Sequence, residues 1–193
     1  MATRPGLPNL VQAAIAMGAA MLALPASSGA MNSQDARRVL VTTGWLADRP
    51  AAFRDALLDV GRLQAVAAGE LFNIAGSAGE GMWGIVAGQV TLTSGMNSAE
   101  APISLLFNPG SWIGYAPLFG FPLLANARAA VDGIVLHLPF ADIRRLLAAN
   151  PGWWEHFGRL VLEHSMVFAT VGVDLLLRPP ERRVAAILLH QAG

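Results

Sequence analysis

Between Leu63 and Leu138 the chain is a succession of short apolar or alternating runs, each closed by glycine or a turn, and this rhythm leaves few folds open. The runs are Leu63 to Ala67, Leu71 to Ile74, Met82 to Ala87, Gln89 to Thr93, Ile103 to Phe107 and Ile134 to Leu138. Each has the length of a strand and none the length of a stable helix. Their spacing predicts an antiparallel, barrel-like sheet. Composition agrees with a packed core: the 193 residues are 54% hydrophobic and 13% charged, with zero net charge. That balance excludes disorder and a strongly basic nucleic-acid-binding surface. Without cysteine there are no disulfides and no cysteine-held metal or iron–sulfur sites.

Helices are expected on both sides of the strands. Val39, Leu40, Trp45 and Leu46, then Phe53, Leu57 and Leu58, stand at helical spacing interrupted by Pro50, which predicts a helical approach packed on the sheet. Downstream, Asn150 and Pro151 predict the cap and first position of a helix reaching about Leu177. Along it Trp154, Phe157, Val161, His164, Phe168, Val171 and Leu175 recur at steps of three and four, a heptad seam. A second set, Leu160, Leu162 and Val167, can face the chain's own domain. The seam predicts a homodimer; the alternative is a helix buried within one domain. His164 lies inside the seam, where pairing with its copy makes association weaken as pH falls, whereas a local hydrogen bond keeps it neutral.

Gly79-Glu80-Gly81-Met82-Trp83-Gly84 matches the pattern G-x-G-x-x-G. The dinucleotide motif needs a helix next, and here strand, turn and strand come instead, so a glycine-rich turn is expected.

The stretch Gly110 to Val131 carries the chemistry. Asn108-Pro109-Gly110 ends a strand, and Gly114 precedes Tyr115-Ala116-Pro117-Leu118-Phe119, with Pro117 near the first position of a short helix. A helix start directs free N–H groups at the space before it and attracts anions. The stretch resembles the phosphate-binding cassette of the cyclic-nucleotide-binding domain, in the version found in the Crp/Fnr superfamily of bacterial transcription regulators. The resemblance extends from about Val41 to the end. Val66 to Phe72 resembles the first hairpin of that β-roll, Met82 to Leu92 its next two strands joined at Gly88, and Leu136 to Pro151 its exit into helices.

The resemblance implies an α+β fold, a cupin-like antiparallel β-roll or double-stranded β-helix with flanking helices and a long C-terminal dimerisation helix. It also places the ligand site at Gly114, Tyr115, Ala116, Leu118, Ala125, Asn126 and Arg128. In that family a glutamate after the second cassette glycine takes the ribose hydroxyl, and an arginine followed by serine or threonine takes the cyclic phosphate. Tyr115 stands at the glutamate position, Ala125 and Asn126 at about the other two, and Arg128 lies three places late. A hydrogen bond to a charged group contributes roughly 1.5–3 kcal/mol, so the missing arginine alone weakens binding about ten- to a hundredfold. Cyclic AMP is therefore disfavoured, and no cofactor is assigned. Arg128 has two readings, a rim residue or a displaced anion contact. Tyr115 and Trp112 are candidates to fill the ligand cavity.

Other chemistry is thin. His137, His156, His164 and His190 show no metal-ligand spacing, and no serine, histidine and acid cluster is suggested. Neither a metal nor an enzyme is expected. The first thirty residues form an apolar extension, with no charge between Arg4 and Asp35. Two readings stand: a secretory signal, or a segment upstream of a start at Met31. The second is favoured because a transcription regulator works in the cytoplasm. At the other end Arg178-Pro179-Pro180 breaks the long helix, and Glu181 to His190 resembles the first helix of a winged helix-turn-helix, without recognition helix or wing.

The expected organisation is an extension over 1–30, a β-roll over 31–150, a dimerisation helix over 151–177 and the start of a winged helix-turn-helix over 178–193. The expected function is the sensory and dimerisation part of a Crp/Fnr-type regulator with a degenerate pocket and an unknown effector. DNA is a partner only through a full winged helix-turn-helix. The alternatives are a ligand-free dimerisation module and an exported or membrane-tethered binding protein.

Overall fold

A computed structural model describes residues 31–94 and 104–175, with the side chains of Ser94, Ser104 and the residues beyond Ala169 outside that description. The N-terminal extension, the segment 178–193, Ile103 and the side chains of Val171 and Leu175 lie outside the described residues.

The helical approach forms two helices. α1 (Ser33–Thr42) starts where Asn32, in extended backbone, accepts hydrogen bonds from the Gln34 and Asp35 amides at 2.9 Å each. α2 (Ala51–Asp59) comes after Pro50 and buries Phe53, Leu57 and Leu58. The strands are β1 (Arg62–Val66), β2 (Leu71–Asn73), β3 (Gly81–Ala87), β4 (Val90–Ser94), β5 (Ser104–Phe107), β6 (Trp112–Ile113), β7 (Ala125–Ala129) and β8 (Gly133–Pro139). They make two four-stranded antiparallel sheets, ordered β1-β8-β3-β6 and β2-β7-β4-β5. This is the α+β roll expected from the sequence.

One detail differs. β1 pairs with β8 and β2 with β7, so the stretch read as a first hairpin passes from one sheet to the other. Gly88 joins β3 to β4 as expected, and the junction carries the chain from one sheet to the other. A Cβ at Gly88, where φ is +81°, would lie 2.8 Å from the Asp132 carbonyl oxygen, so the crossing requires glycine.

Strand alternation sorts the core into two faces. Between the sheets lie Val66, Trp83, Ile85, Val90, Ile113, Ala127, Ala129 and Val135, with Phe72, Leu92 and Phe107 packed against them. On the opposite side of the first sheet, Trp112 is fully buried, its ring 2.9 Å from where a Gly84 Cβ would stand. Trp112 meets Trp45 edge-on at 5.6 Å, and Trp45 meets Phe53 at 5.7 Å and Phe157 at 5.5 Å. Such pairs contribute roughly 0.5–1.5 kcal/mol each beyond their area. Trp112 therefore belongs to the helix-side core and does not fill the roll. The G-x-G-x-x-G stretch, expected as a turn, is turn only at Gly79 and Glu80: Gly81 opens β3 and Gly84 makes room for Trp112.

α3 (Phe140–Ala149) leaves β8 through Pro139 and buries Phe140, Ile143 and Leu147. Asn150 makes no side-chain cap for the turn and helix after it; its Nδ2 donates to the Leu146 carbonyl at 3.3 Å and closes α3. Pro151–Trp153 is a 3₁₀ turn, and it leads into α4 (Trp154–Leu175). Trp45 Nε1 donates to the His156 carbonyl at 2.8 Å. The chain divides at Gly158 into two compact units, so α4 beyond that point is described by itself.

Candidate functional site

The cassette begins as the sequence dictates. Gly110, with φ at +88°, donates to the Ile85 carbonyl at 2.8 Å, and Ile85 donates to Ser111 at 2.9 Å, tying the turn to β3. Gly44 fixes the other side: a Cβ there would stand 2.1 Å from the Gly110 oxygen. Gly114 also lies in the left-handed region, at +81°, and a Cβ on it would approach the Gly81 oxygen and Trp83 Cδ1 at 3.3 Å. Pro117 sits in a single 3₁₀ turn, Ala116–Phe119, ended by Gly120 at φ +83°. The Leu118 amide donates to Tyr115 at 3.0 Å and the Phe121 amide to Ala116 at 3.3 Å, so the turn uses these donors itself.

The side chains around this frame are apolar or turned away. Pro117 and Leu118 are buried, Ala116 is half-buried, and burial pushes the half-buried Tyr115 hydroxyl up to about 12. On β7, Ala127 and Ala129 face the space between the sheets, and Ala125 shares their parity. Asn126 and Arg128 occupy the opposite face. Asn126 Oδ1 accepts from the Ala75 amide at 2.9 Å, and exposed Arg128 donates to the Gly69 carbonyl. The two polar expectations for the cassette thus hold neighbouring backbone.

The inner space is occupied instead by rings. Trp83 meets Phe72 at 5.2 Å and stacks on His137 at 4.2 Å with 27° between planes. His137 is 8% exposed, and its Nε2 has no hydrogen-bond partner among the described residues. Burial lowers its pKa; Glu80 opposes that shift, and Arg62, opposite His137 in the β1–β8 register, adds to it. Buried Asn73 reaches toward the Ala125 carbonyl with Nδ2 at 3.5 Å, and its Oδ1 lies 3.8 Å from a Cβ at Gly114. Trp83, Asn73 and His137 were not read as site residues, because pairing sets the facing of Trp83 and His137 and a register shift between Leu71 and Asn73 turns Asn73 to the side of Ala127.

The long-helix residues divide. Phe157 is 1% exposed within the aromatic core, and Trp154 packs edge-on against Phe119 at 5.6 Å. Further on, His164 and Phe168 stand 6.4 Å apart at 90°, Val161 is half-buried, and burial pushes His164 down to about 4.

Residues 63–150 match the family model described as cyclic nucleotide-binding domain. Among solved structures, the chain resembles one from work on a cyclic-GMP-dependent signalling pathway that regulates bacterial phytopathogenesis. That likeness has 26% identity, a TM-score of 0.51, and covers 61% of this chain and 94% of that one. A putative cyclic nucleotide binding protein from Ruegeria pomeroyi DSS-3 matches at 20% identity and a TM-score of 0.58, over 82% of this chain and 70% of that one. The N-terminal domain of a transcriptional regulator from Streptomyces coelicolor A3(2) matches at 20% and 0.52, over 67% and 94%. Comparison with curated proteins gives no match. The roll is a cyclic nucleotide-binding fold, and its structural neighbours include bacterial regulators.

Proposed function

We propose that the chain is the sensory and dimerisation part of a Crp/Fnr-type transcription regulator whose roll has lost the usual grip on a cyclic nucleotide. One observation carries this reading. The inward stations of β7 are all alanine, while Arg128 points outward to a backbone carbonyl. The cassette keeps its backbone shape without an inward cation or a carboxylate after Gly114. Its role is regulatory rather than catalytic, and its place is the cytoplasm; no described helix is long and apolar enough to cross a membrane. DNA enters this reading only through a winged helix-turn-helix beyond α4.

Isothermal titration with cyclic AMP and cyclic GMP tests it. The expected result is no heat from a folded protein; micromolar binding would show that other groups replace the missing pair.

α4 supports the dimer. Leu162, Met166, Val167 and Phe168 are 65%, 53%, 56% and 45% exposed, an apolar surface that a partner helix would cover; it includes Leu162 and Val167, expected to face the chain's own domain, and not Phe157, expected in the seam and 1% exposed. Phe168→Asp would bury an unpaired charge there and is expected to convert dimer to monomer in sedimentation. An unchanged sedimentation coefficient would count against the interface.

A further inference from the structure

The cassette has an outer side as well as an inner one. There a cavity of about 420 Å³ opens between the 3₁₀ turn, the Gly76–Gly79 turn and the start of α3. Its volume falls within the range of roughly 300–1,000 Å³ common to small-ligand sites. Pro117, Phe121, Pro122 and Phe140 give it apolar walls, and among the described residues Arg144 is the one ionisable side chain lining it.

That arginine is held in place and still available. Its guanidinium lies 5.6 Å from the Phe140 ring centroid and donates a single hydrogen bond, from an η nitrogen to the Pro117 carbonyl at 3.1 Å. Four of five N–H donors stay unused by the described residues. Arg37, Arg38 and Arg145 each pair with a carboxylate, whereas no carboxylate among the described residues pairs with Arg144. Beside it the Phe121 ring is 63% exposed.

We propose that this cavity binds a small organic carboxylate with a flat or short-chain apolar body. The carboxylate takes the free fork of Arg144, matched in charge and in its two-oxygen geometry. The body lies against Phe121, Pro122 and Pro117. Because Arg144 belongs to α3 and Pro117 to the cassette, an occupant touches both elements and favours the arrangement in which they are close. The site is separate from the roll interior and stands whether or not the roll takes a nucleotide.

The test is an amide-resolved NMR titration of the full chain with benzoate, indole-3-acetate and octanoate, each to about 10 mM, enough to saturate a site of roughly millimolar affinity. At least one acid is expected to give saturable shifts centred on Gly76, Gly79, Gly120 and Phe121. The corresponding neutral amides should give none. Arg144→Gln should weaken the effect at least tenfold, roughly the loss of one charge-assisted contact, and Phe121→Ala should weaken it too. Arg145→Gln, whose partner is Asp142, should leave it unchanged. The proposal is overturned by an absence of saturable shifts with all three acids, by equal binding of the amides, or by full binding in Arg144→Gln. It is equally overturned if only an acidic apolar peptide binds. Should Arg144→Gln fail to fold, the acid–amide comparison and Phe121→Ala decide.

Discussion

The first half of the cassette, Gly110 to Gly120, and the strand after it, Ala125–Ala129, carry information of different kinds. The first half is specified through its backbone: three left-handed glycines and a proline in a 3₁₀ turn fix the path whatever its side chains do. The strand is specified through volume, because Ala127 and Ala129 stand at 0% and 2% exposure beneath Trp83 and its neighbours. On the proposed reading, shape and binding chemistry have separated. A loop can keep the outline of an anion cradle while the strand beside it supplies only methyl groups.

Substitutions can pull this contrast apart. The largest effect is expected from Gly44→Ala, whose Cβ would stand 2.1 Å from the Gly110 oxygen at φ +77°. A loss of about 3 kcal/mol or more, read from the urea midpoint, would place the cassette frame among the essential supports. Ala127→Leu tests the strand, where extra methylenes between the sheets should cost about 1–3 kcal/mol. If it were neutral, the inner space would hold unfilled room and the plugged roll would be wrong. Gly120→Ala meets nothing within 4 Å, so only its left-handed backbone matters, at about 1 kcal/mol.

The smallest effect is on pH dependence. Burial lowers the folded pKa of His137, so the unfolded chain takes up its proton first. Stability from this group is full above about pH 6.5 and declines as pH falls toward the folded value. His164, pushed down to about 4, acts in the same direction between about 6.5 and 4. His137→Gln should flatten, without abolishing, the fall in urea midpoint between about pH 7.5 and about pH 5.5. An unaltered slope would mean that His137 contributes nothing to it.

The same contrast explains what the sequence made legible. Asn108-Pro109-Gly110, Gly114 and Pro117 each carry a local backbone signal, so the cassette turn and its short helix could be read directly. β7 could not. Ala125-Asn126-Ala127-Arg128-Ala129 has no β-branched or aromatic residue, and it becomes a strand by pairing with β2 on one side and β4 on the other. Facing was equally hidden: Trp112 was expected as a candidate to fill the ligand cavity, yet the pairing of Gly84 with Trp112 puts it on the face opposite Trp83. Asn150 carried a cap signal that α3 used for its own end. The roll was legible from punctuation and alternation; the direction in which Arg128 points depended on register.

An amide-resolved titration with cyclic AMP tests the separation of frame from chemistry most directly, because Gly114, Ala125 and Ala127 report on the inner face. No saturable shift is expected at these three amides in a folded protein. A saturable micromolar response centred on them would contradict that separation, and would mean that the cassette still grips a nucleotide through groups other than an inward arginine and a glutamate.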